Sequence, residues 1–339
     1  MPPVNSAAWL VAEKQTPLEV KSAPYTSPGP NEIVVKNGAV AINPVDVGMQ
    51  SLAIFPLNYP AILGMDTAGE IVEIGSAVTR FKVGDRVLGH AVSFASKRYS
   101  EAAFQSYTIL LDNMTAQIPD NISFEAACVI PLGLSTAACG LYEKEYLALP
   151  YPSTNPKPTG QVLIVWGGST SVGSNGIQLA ISSGYEVFTT ASPKNFNYVK
   201  KLGASQAFDY HSKTVVDDMV AALKGKTIAG ALDYIGRDGA VELCADVVRQ
   251  VEGTKFISEA WIVPGEVLGI KASFIDGGSL INNEISTAVY DKFLPKALAE
   301  GKFIPAPDPL VVGHGLESIQ EALEAYAKGV SAQKIVITL

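Results

Sequence analysis

The sequence predicts an α/β protein of two domains: an irregular, barrel-like β domain and a doubly wound parallel sheet of about six strands. Three observations carry this expectation. The 339 residues amount to roughly twice the length of an ordinary single domain. Prolines at 17, 28, 30, 44, 56, 60 and 119 interrupt the first third and leave short β-branched runs between them. After a proline-rich connection at 150–158, apolar strands alternate with amphipathic helices.

In the β domain, residues 1–125, strands are expected over Glu32–Lys36, Gly69–Ile74 and Asp85–Leu88, joined by turn chemistry at Gly75-Ser76 and Val83-Gly84-Asp85. Apolar residues then recur at helical spacing from Phe124 to Tyr146. Gln161–Trp166 reads as a buried strand, Gly173–Ser183 as a helix with Ile177, Ala180 and Ile181 on one face, and Glu186–Thr190 as the next strand, which makes one βαβ unit. Strands over Gln206–Asp209, Ala231–Ile235, Thr254–Ile257 and Val267–Ala272, with helices over Asn197–Leu202 and Val216–Leu223, complete a sheet domain of residues 126–272. Residues 273–339 are expected to return to the first domain, through helices over Thr287–Glu300 and Leu316–Lys328 and a last strand, Lys334–Thr338, which needs neighbours to pair with.

Composition excludes several classes. Hydrophobic residues make up 47% and charged residues 17%, with a mean hydropathy of +0.21, which suits large buried sheets and not a disordered chain. With 25 Lys and Arg against 33 Asp and Glu the net charge is -8, which opposes attraction to nucleic acid or to an anionic lipid surface. Cys128, Cys139 and Cys244 show neither a CxxC pair nor metal-ligand spacing and read as buried reduced thiols. Met1–Val11 lacks the basic start and apolar stretch of a signal peptide, and no run of about 18 apolar residues is seen, so a soluble cytoplasmic protein is expected.

The most informative segment is Val162-Leu-Ile-Val-Trp-Gly-Gly-Ser-Thr-Ser-Val-Gly173. An apolar strand that ends in small residues before a helix lets backbone amides of Gly168, Ser169, Thr170, Ser171 and Val172, and the positive helix end, face a pyrophosphate. A plain tight turn would carry the same glycines, and Thr170 stands where the usual fingerprint has another glycine; the surrounding βαβ unit is what points to a dinucleotide. About 20 residues on, where an NAD site places Asp or Glu on the ribose hydroxyls, the sequence reads Thr190-Ala-Ser-Pro-Lys-Asn195. A carboxylate would repel a 2′-phosphate, whereas the Ser192 hydroxyl and the Lys194 ammonium can bind one, so NADP(H) is the expected cofactor, with Tyr210 beside the same phosphate.

Asn43-Pro-Val-Asp46, Leu63-Gly-Met-Asp-Thr-Ala-Gly-Glu-Ile-Val-Glu-Ile-Gly75 and Lys82-Val-Gly-Asp-Arg-Val87 resemble, in order, motifs of the medium-chain dehydrogenase/reductase superfamily, and the resemblance covers nearly the whole chain. It implies a GroES-like fold for the first domain and a Rossmann fold for the second. Zinc-dependent members carry Cys where this chain has Asn43 and a His-Glu pair where it has Met65-Asp66, and residues 90–110 lack the cysteines of a structural zinc lobe, so no metal is expected. His90, His211 and His314 read as surface or structural residues.

Without a metal the chain looks like the quinone oxidoreductase and enoyl reductase branch. Trp166–Gly173, Ala191-Ser-Pro-Lys-Asn-Phe196 and Pro131-Leu-Gly-Leu-Ser-Thr-Ala137 are most similar to fungal trans-acting enoyl reductases of the ToxD-like group, which serve polyketide synthases. In such relatives Asn43, Pro44, Val45, Asp46, Thr136, the Ser169–Val172 loop, Ser192–Asn195 and Tyr210 would contact NADPH, while Pro131 and the Ala272–Asp276 stretch, with Phe274, would border the substrate. Asn43 and Thr136 are the candidates for positioning the nicotinamide and substrate, although a turn Asn and a helix-cap Thr would look the same; Asp46 reads as structural and no proton donor stands out. The implied activity is hydride transfer to the activated C=C bond of an enoyl or enone substrate, presented by a polyketide synthase carrier domain. An NADPH quinone or enone oxidoreductase and a non-catalytic NADPH-binding protein remain alternatives. Glycines and Pro264 in Ala260–Asn283 disfavour a long edge strand there, which favours a monomer over a homodimer.

Overall fold

The β-branched runs between the early prolines become strands β1 (Asn5–Leu10), β2 (Glu19–Ala23), β3 (Glu32–Ala41), β4 (Ala61–Ile62), β5 (Asp66–Ile74), β6 (Arg86–His90), β7 (Tyr107–Leu111) and β8 (Thr115–Gln117). The computed structural model describes residues 3–262 and 264–339. By density of contacts one unit runs to Leu132 and resumes over Pro305–Leu339, and the other is Gly133–Ile304.

In the first unit β3 is the hub. One of its edges pairs antiparallel with β5; the other is shared, with Glu32–Lys36 against β7 and Ala39–Ala41 against the last strand, β18 (Gln333–Thr338). That last strand lies parallel to β17 (Asp308–His314), and the sheet order is β17-β18-β3-β5-β6-β8. The return of the chain therefore completes an edge that the first domain leaves open, since unpaired backbone groups of a buried strand are costly. Strands β1, β2, β7 and β17 lie beyond those expected from the sequence. Their apolar residues alternate poorly with polar ones; β1 pairs with β2 and β17 with β18, while β7 pairs with the distant β3.

In the second unit β9 (Val162–Trp166), β10 (Glu186–Ala191), β11 (Gln206–Asp209), β12 (Thr227–Asp233), β14 (Phe256–Glu259) and β16 (Ile270–Phe274) form a parallel sheet in the order β11-β10-β9-β12-β14-β16. This is the doubly wound order, which reverses direction between β9 and β12. Two-residue strands add to it: β13 (Glu252–Gly253) beside β12, and β15 (Glu266–Val267) antiparallel to β16 at the edge. The stretch expected as one strand, Val267–Ala272, is thus a hairpin turning at Gly269, whose φ is +79°. A helix at Ala240–Gln250, absent from the expectation, buries Val241, Cys244, Ala245 and Val248 on one face.

The unit boundaries also differ from the expected 125/126 and 272/273. Residues 273–304 stay with the sheet unit because Tyr290 shares a hydrogen bond with Ser135 (2.7 Å) and Gln178 exchanges hydrogen bonds with the backbone of Ile304 (3.1 and 2.8 Å). The stretch Phe124–Tyr142 is helical over Phe124–Ala127 and Pro131–Tyr142; by length and composition it could cross a membrane, but 72% of it is buried inside the fold, as for a core helix. The three cysteines are buried, and burial raises their thiol pKa values.

Two buried charge arrangements mark the units. In the first, Asp66 is fully buried; it accepts from Asn43 Nδ2 (2.9 Å) and from the Leu132 amide (2.6 Å), and it forms an ion pair with the equally buried Lys334 of β18. In the second, Asp233 and Glu259 stand opposite each other in the β12–β14 register. Asp233 Oδ2 and both Glu259 oxygens are shielded from solvent, and the backbone amides of Trp261 and Ala260 favour the ionised Glu259 less than burial favours the neutral acid, so a proton held between the two carboxyls bridges them. Burial first, and then the Asp233 charge, push the Glu259 pKa up to about 10.

Replacing Lys334 by Met should cost about 3–5 kcal/mol, because it strands a buried carboxylate. Adding Asp66→Asn should restore part of the loss in urea unfolding, and a loss near zero for the single variant would contradict the arrangement. For Glu259 the folded pKa lies above the unfolded one, so its contribution is full below the ordinary glutamate pKa and is lost as pH rises toward about 10. Glu259→Gln, a neutral donor of similar shape, should flatten the fall of Tm between mildly acidic and alkaline buffer; parallel melting profiles for parent and variant would contradict the shared proton.

Candidate active site

The apolar run of β9 ends at Trp166, and a four-residue turn leads into the helix Ser171–Ser182. Gly167 has φ +83°, a conformation that disfavours any side chain, and a Cβ on Gly173 would lie 2.2 Å from the Gly167 carbonyl oxygen. Thr170, the departure from the usual glycine pattern, caps the helix: its hydroxyl donates to the Gly167 carbonyl (2.9 Å) and accepts from the Gly173 amide (2.9 Å). Gly168 is buried, its amide bonded to the Thr190 carbonyl, whereas Ser169, Thr170, Ser171 and Val172 are partly exposed at the helix N-terminus. Backbone amides and the positive helix end meet there, an arrangement that fits a phosphate.

At the end of the next strand, β10, the chain turns through Ser192 and the short helical turn Pro193–Asn195. Parallel pairing aligns Ala191 with Asp209, which brings the following residues together: the Ser192 hydroxyl donates to the Tyr210 hydroxyl (3.2 Å). Lys194 is exposed and Asn195 is buried. The carboxylate of Asp209 is turned to the backbone, accepting from the His211 amide (3.0 Å). The His211 ring lies 4.0 Å from that of Tyr210, a neighbour that sequence spacing, with its three scattered histidines, did not single out.

In the first unit Asn43 and Asp46 close the turn before the helix Pro44–Val47: the Asn43 amide donates to Asp46 Oδ2 (2.8 Å), and the Gly64 amide donates to Asp46 Oδ1 (3.2 Å). Burial raises the Asp46 pKa to about 7. Pro44 is exposed, Val45 is partly buried and Asp46 is fully buried. The Asn43 side chain is fixed by Asp66, and through it by Lys334, a residue 268 positions away that no local motif marks. Among the described residues no three His, Cys, Asp or Glu side chains gather as a metal donor set.

The remaining expected residues are spread more widely. Pro131 is buried at the start of its helix. Thr136, in the second unit, is partly buried beside Gly277, where an added Cβ would come 2.9 Å from its hydroxyl oxygen. Ala272 is fully buried among the sheet's core side chains and presents no surface to a substrate. Phe274 and Asp276 are exposed; the Phe274 carbonyl accepts from the Tyr146 hydroxyl (2.6 Å), and Asp276 Oδ1 accepts from the Gly278 amide (2.9 Å).

Residues 29–120 match the family described as alcohol dehydrogenase GroES-like domain. The chain is 51% identical to the zinc-binding alcohol dehydrogenase domain-containing protein cipB of Emericella nidulans, over 99% of this chain and 98% of that protein. It is 50% identical to dehydrogenase pigH of Monascus ruber, over 99% and 100% of the two chains. It is 43% identical to trans-enoyl reductase himH of Aspergillus japonicus, over 99% and 98%. The fold is similar to that of an alcohol dehydrogenase superfamily protein from Novosphingobium aromaticivorans, with a TM-score of 0.80 at 24% identity and 99% of both chains covered. It is also similar to an Escherichia coli quinone oxidoreductase solved with NADPH, with a TM-score of 0.73 at 22% identity over 99% and 100% of the chains. Sharing its sequence end to end with these relatives, and their GroES-like and doubly wound architecture, the chain belongs to the medium-chain dehydrogenase/reductase superfamily of oxidoreductases.

Proposed function

We propose that this protein is an NADPH-dependent, zinc-independent enoyl reductase that acts in trans on a conjugated acyl thioester of polyketide metabolism. The observation that carries the cofactor assignment is the Ser192–Tyr210 hydroxyl pair, with Lys194 exposed two residues beyond Ser192, at the end of the strand after the helix-capped turn, where an NAD site has a carboxylate. The reaction class is supported by relatives named trans-enoyl reductase, himH at 43% identity and tndF of Aspergillus flavipes at 32%, each matched over at least 98% of this chain.

When bound, the reduced nicotinamide supplies the hydride. The chain's own part is to bind and orient. The Ser169–Val172 turn receives the pyrophosphate, with the Thr170 amide itself held by the Gly167 carbonyl. The Ser192 and Tyr210 hydroxyls and the Lys194 ammonium receive the 2′-phosphate. Asn43, held at Nδ2 by Asp66, keeps its amide in one orientation, and Asn43 and Thr136 position nicotinamide and substrate. Zinc does not fit this chain: Asn43 and Met65 are poor ligands, and Asp66 is committed to Asn43, Leu132 and Lys334. The acyl chain is presented by a carrier domain, and the protein works as a monomer.

NADPH oxidation by the full chain should be faster with crotonyl and longer enoyl thioesters than with quinones. A large preference for quinones, or no turnover with either, would overturn the assignment. Lys194→Ala should raise the KM for NADPH by about tenfold and leave that for NADH unchanged, as expected for loss of one charge-assisted contact. Metal analysis should find substoichiometric zinc, and one tightly held zinc per chain would reject the metal-free reading.

A further inference from the structure

The helix Pro131–Tyr142 continues its backbone bonding to Glu143, whose amide donates to the Cys139 carbonyl (3.1 Å), so Thr136, Gly140 and Glu143 recur at helical spacing on one face. The segment that follows β16 lies along that face in two close approaches. A Cβ on Gly140 would come 2.7 Å from Ile275 Cδ1, and a Cβ on Gly277 would come 2.9 Å from Thr136 Oγ1. Beside them, Ser279 Oγ lies 3.3 Å from Cys139 Sγ.

Between Ile275 and Leu280 the chain makes a tight turn: the Ser279 amide donates to the Asp276 carbonyl (3.1 Å) and the Gly278 amide donates to Asp276 Oδ1 (2.9 Å). Gly277 and Gly278 stand at its tip, and a glycine pair has too much backbone freedom to hold its own place. Glu143 supplies the hold. Its Oε1 accepts from Ser279 Oγ (2.6 Å), at the end of the turn, and from Asn283 Nδ2 (2.8 Å). Asn283 Nδ2 also donates to the Ser279 carbonyl (3.2 Å), and Asn283 Oδ1 accepts from the Ile285 amide (3.0 Å). One half-buried carboxylate oxygen thus ties both ends of Ser279–Asn283 to the stretch that carries Thr136.

A helical threonine divides between two χ1 rotamers, so a neighbour packed on its hydroxyl decides which is populated. We infer that Glu143 is a positioning residue: by holding the Asp276–Ser279 turn on the helix it keeps the Gly277 backbone against Thr136 and fixes the orientation of the Thr136 hydroxyl. This deepens the reductase reading and rests on it for the task of Thr136, the positioning of nicotinamide and substrate. Glu143 acts through Thr136 and not on the reacting atoms.

The test uses variants of the full-length protein: Glu143→Ala, which removes the acceptor; Glu143→Gln, whose carbonyl oxygen can still accept from both donors; and Thr136→Ala, alone and combined with Glu143→Ala. Hydrogen exchange of the Gly278 and Ser279 amides should be about tenfold faster in Glu143→Ala and close to the parent rate in Glu143→Gln. With NADPH and crotonyl N-acetylcysteamine thioester, Glu143→Ala should lower kcat about tenfold and Glu143→Gln should restore most of it. Added to Thr136→Ala, Glu143→Ala should lower kcat no further, which a merely structural role would not produce. Unchanged exchange in Glu143→Ala, or the same fold-loss of kcat with and without Thr136, would overturn the inference. Turnover that Glu143→Ala leaves intact would overturn the inference alone, whereas a parent protein that reduces no enoyl thioester would remove the reductase reading and the inference with it.

Discussion

Burying the carboxylate of Asp66 obliges three distant parts of the chain to meet. The Asn43 loop, the start of the helix at Leu132 and the last strand at Lys334 each supply a donor, because an isolated charge in that place would be prohibitive. The same carboxylate fixes the amide of Asn43. One interaction thus couples the closing of the first unit, through the pairing of β18 with β3, to the geometry of the residue proposed to position the reacting groups.

In the second unit the corresponding constraint is steric. The turn between β9 and its helix works because nothing projects from Gly167 or Gly173, and because the Thr170 hydroxyl bonds to both sides of the turn, stabilising the first turn of the helix. Parallel pairing of β10 with β11 then places Ser192 against Tyr210, although 18 residues separate them. The phosphate-binding reading therefore rests on backbone register as much as on residue type.

Much of the sheet unit was legible from the sequence. Buried parallel strands are continuous apolar runs, and β9, β10 and β11 fall within a residue or so of their expected ends, with β11 matching at Gln206–Asp209. The helix Ala240–Gln250, with its apolar face at helical spacing, lies beyond the sequence expectation, and residues 267–272 differ from the expected single strand because Gly269, at φ +79°, reverses the chain within them. The first unit was harder to read. Its strands are half-buried and irregular, and β7 takes its place from pairing with β3, a strand far earlier in the chain. The conformation of the turn after β9 was legible because a local motif carries it, whereas the meeting of Ser192 with Tyr210 depends on the pairing of β10 with β11. The burial of Ala272 was not legible, since a strand residue's facing depends on register and its burial on what packs above it.

By itself the sequence determined the two-part architecture, the doubly wound sheet and the helix-capped turn, because proline placement, apolar periodicity and small residues at a strand end are local signals. Only the tertiary structure decided that Lys334 answers Asp66 and that Glu259 faces Asp233. Those are encounters between residues tens to hundreds of positions apart. Their consequence comes from desolvation, which depends on what surrounds a group in space and leaves no mark on its neighbours along the chain.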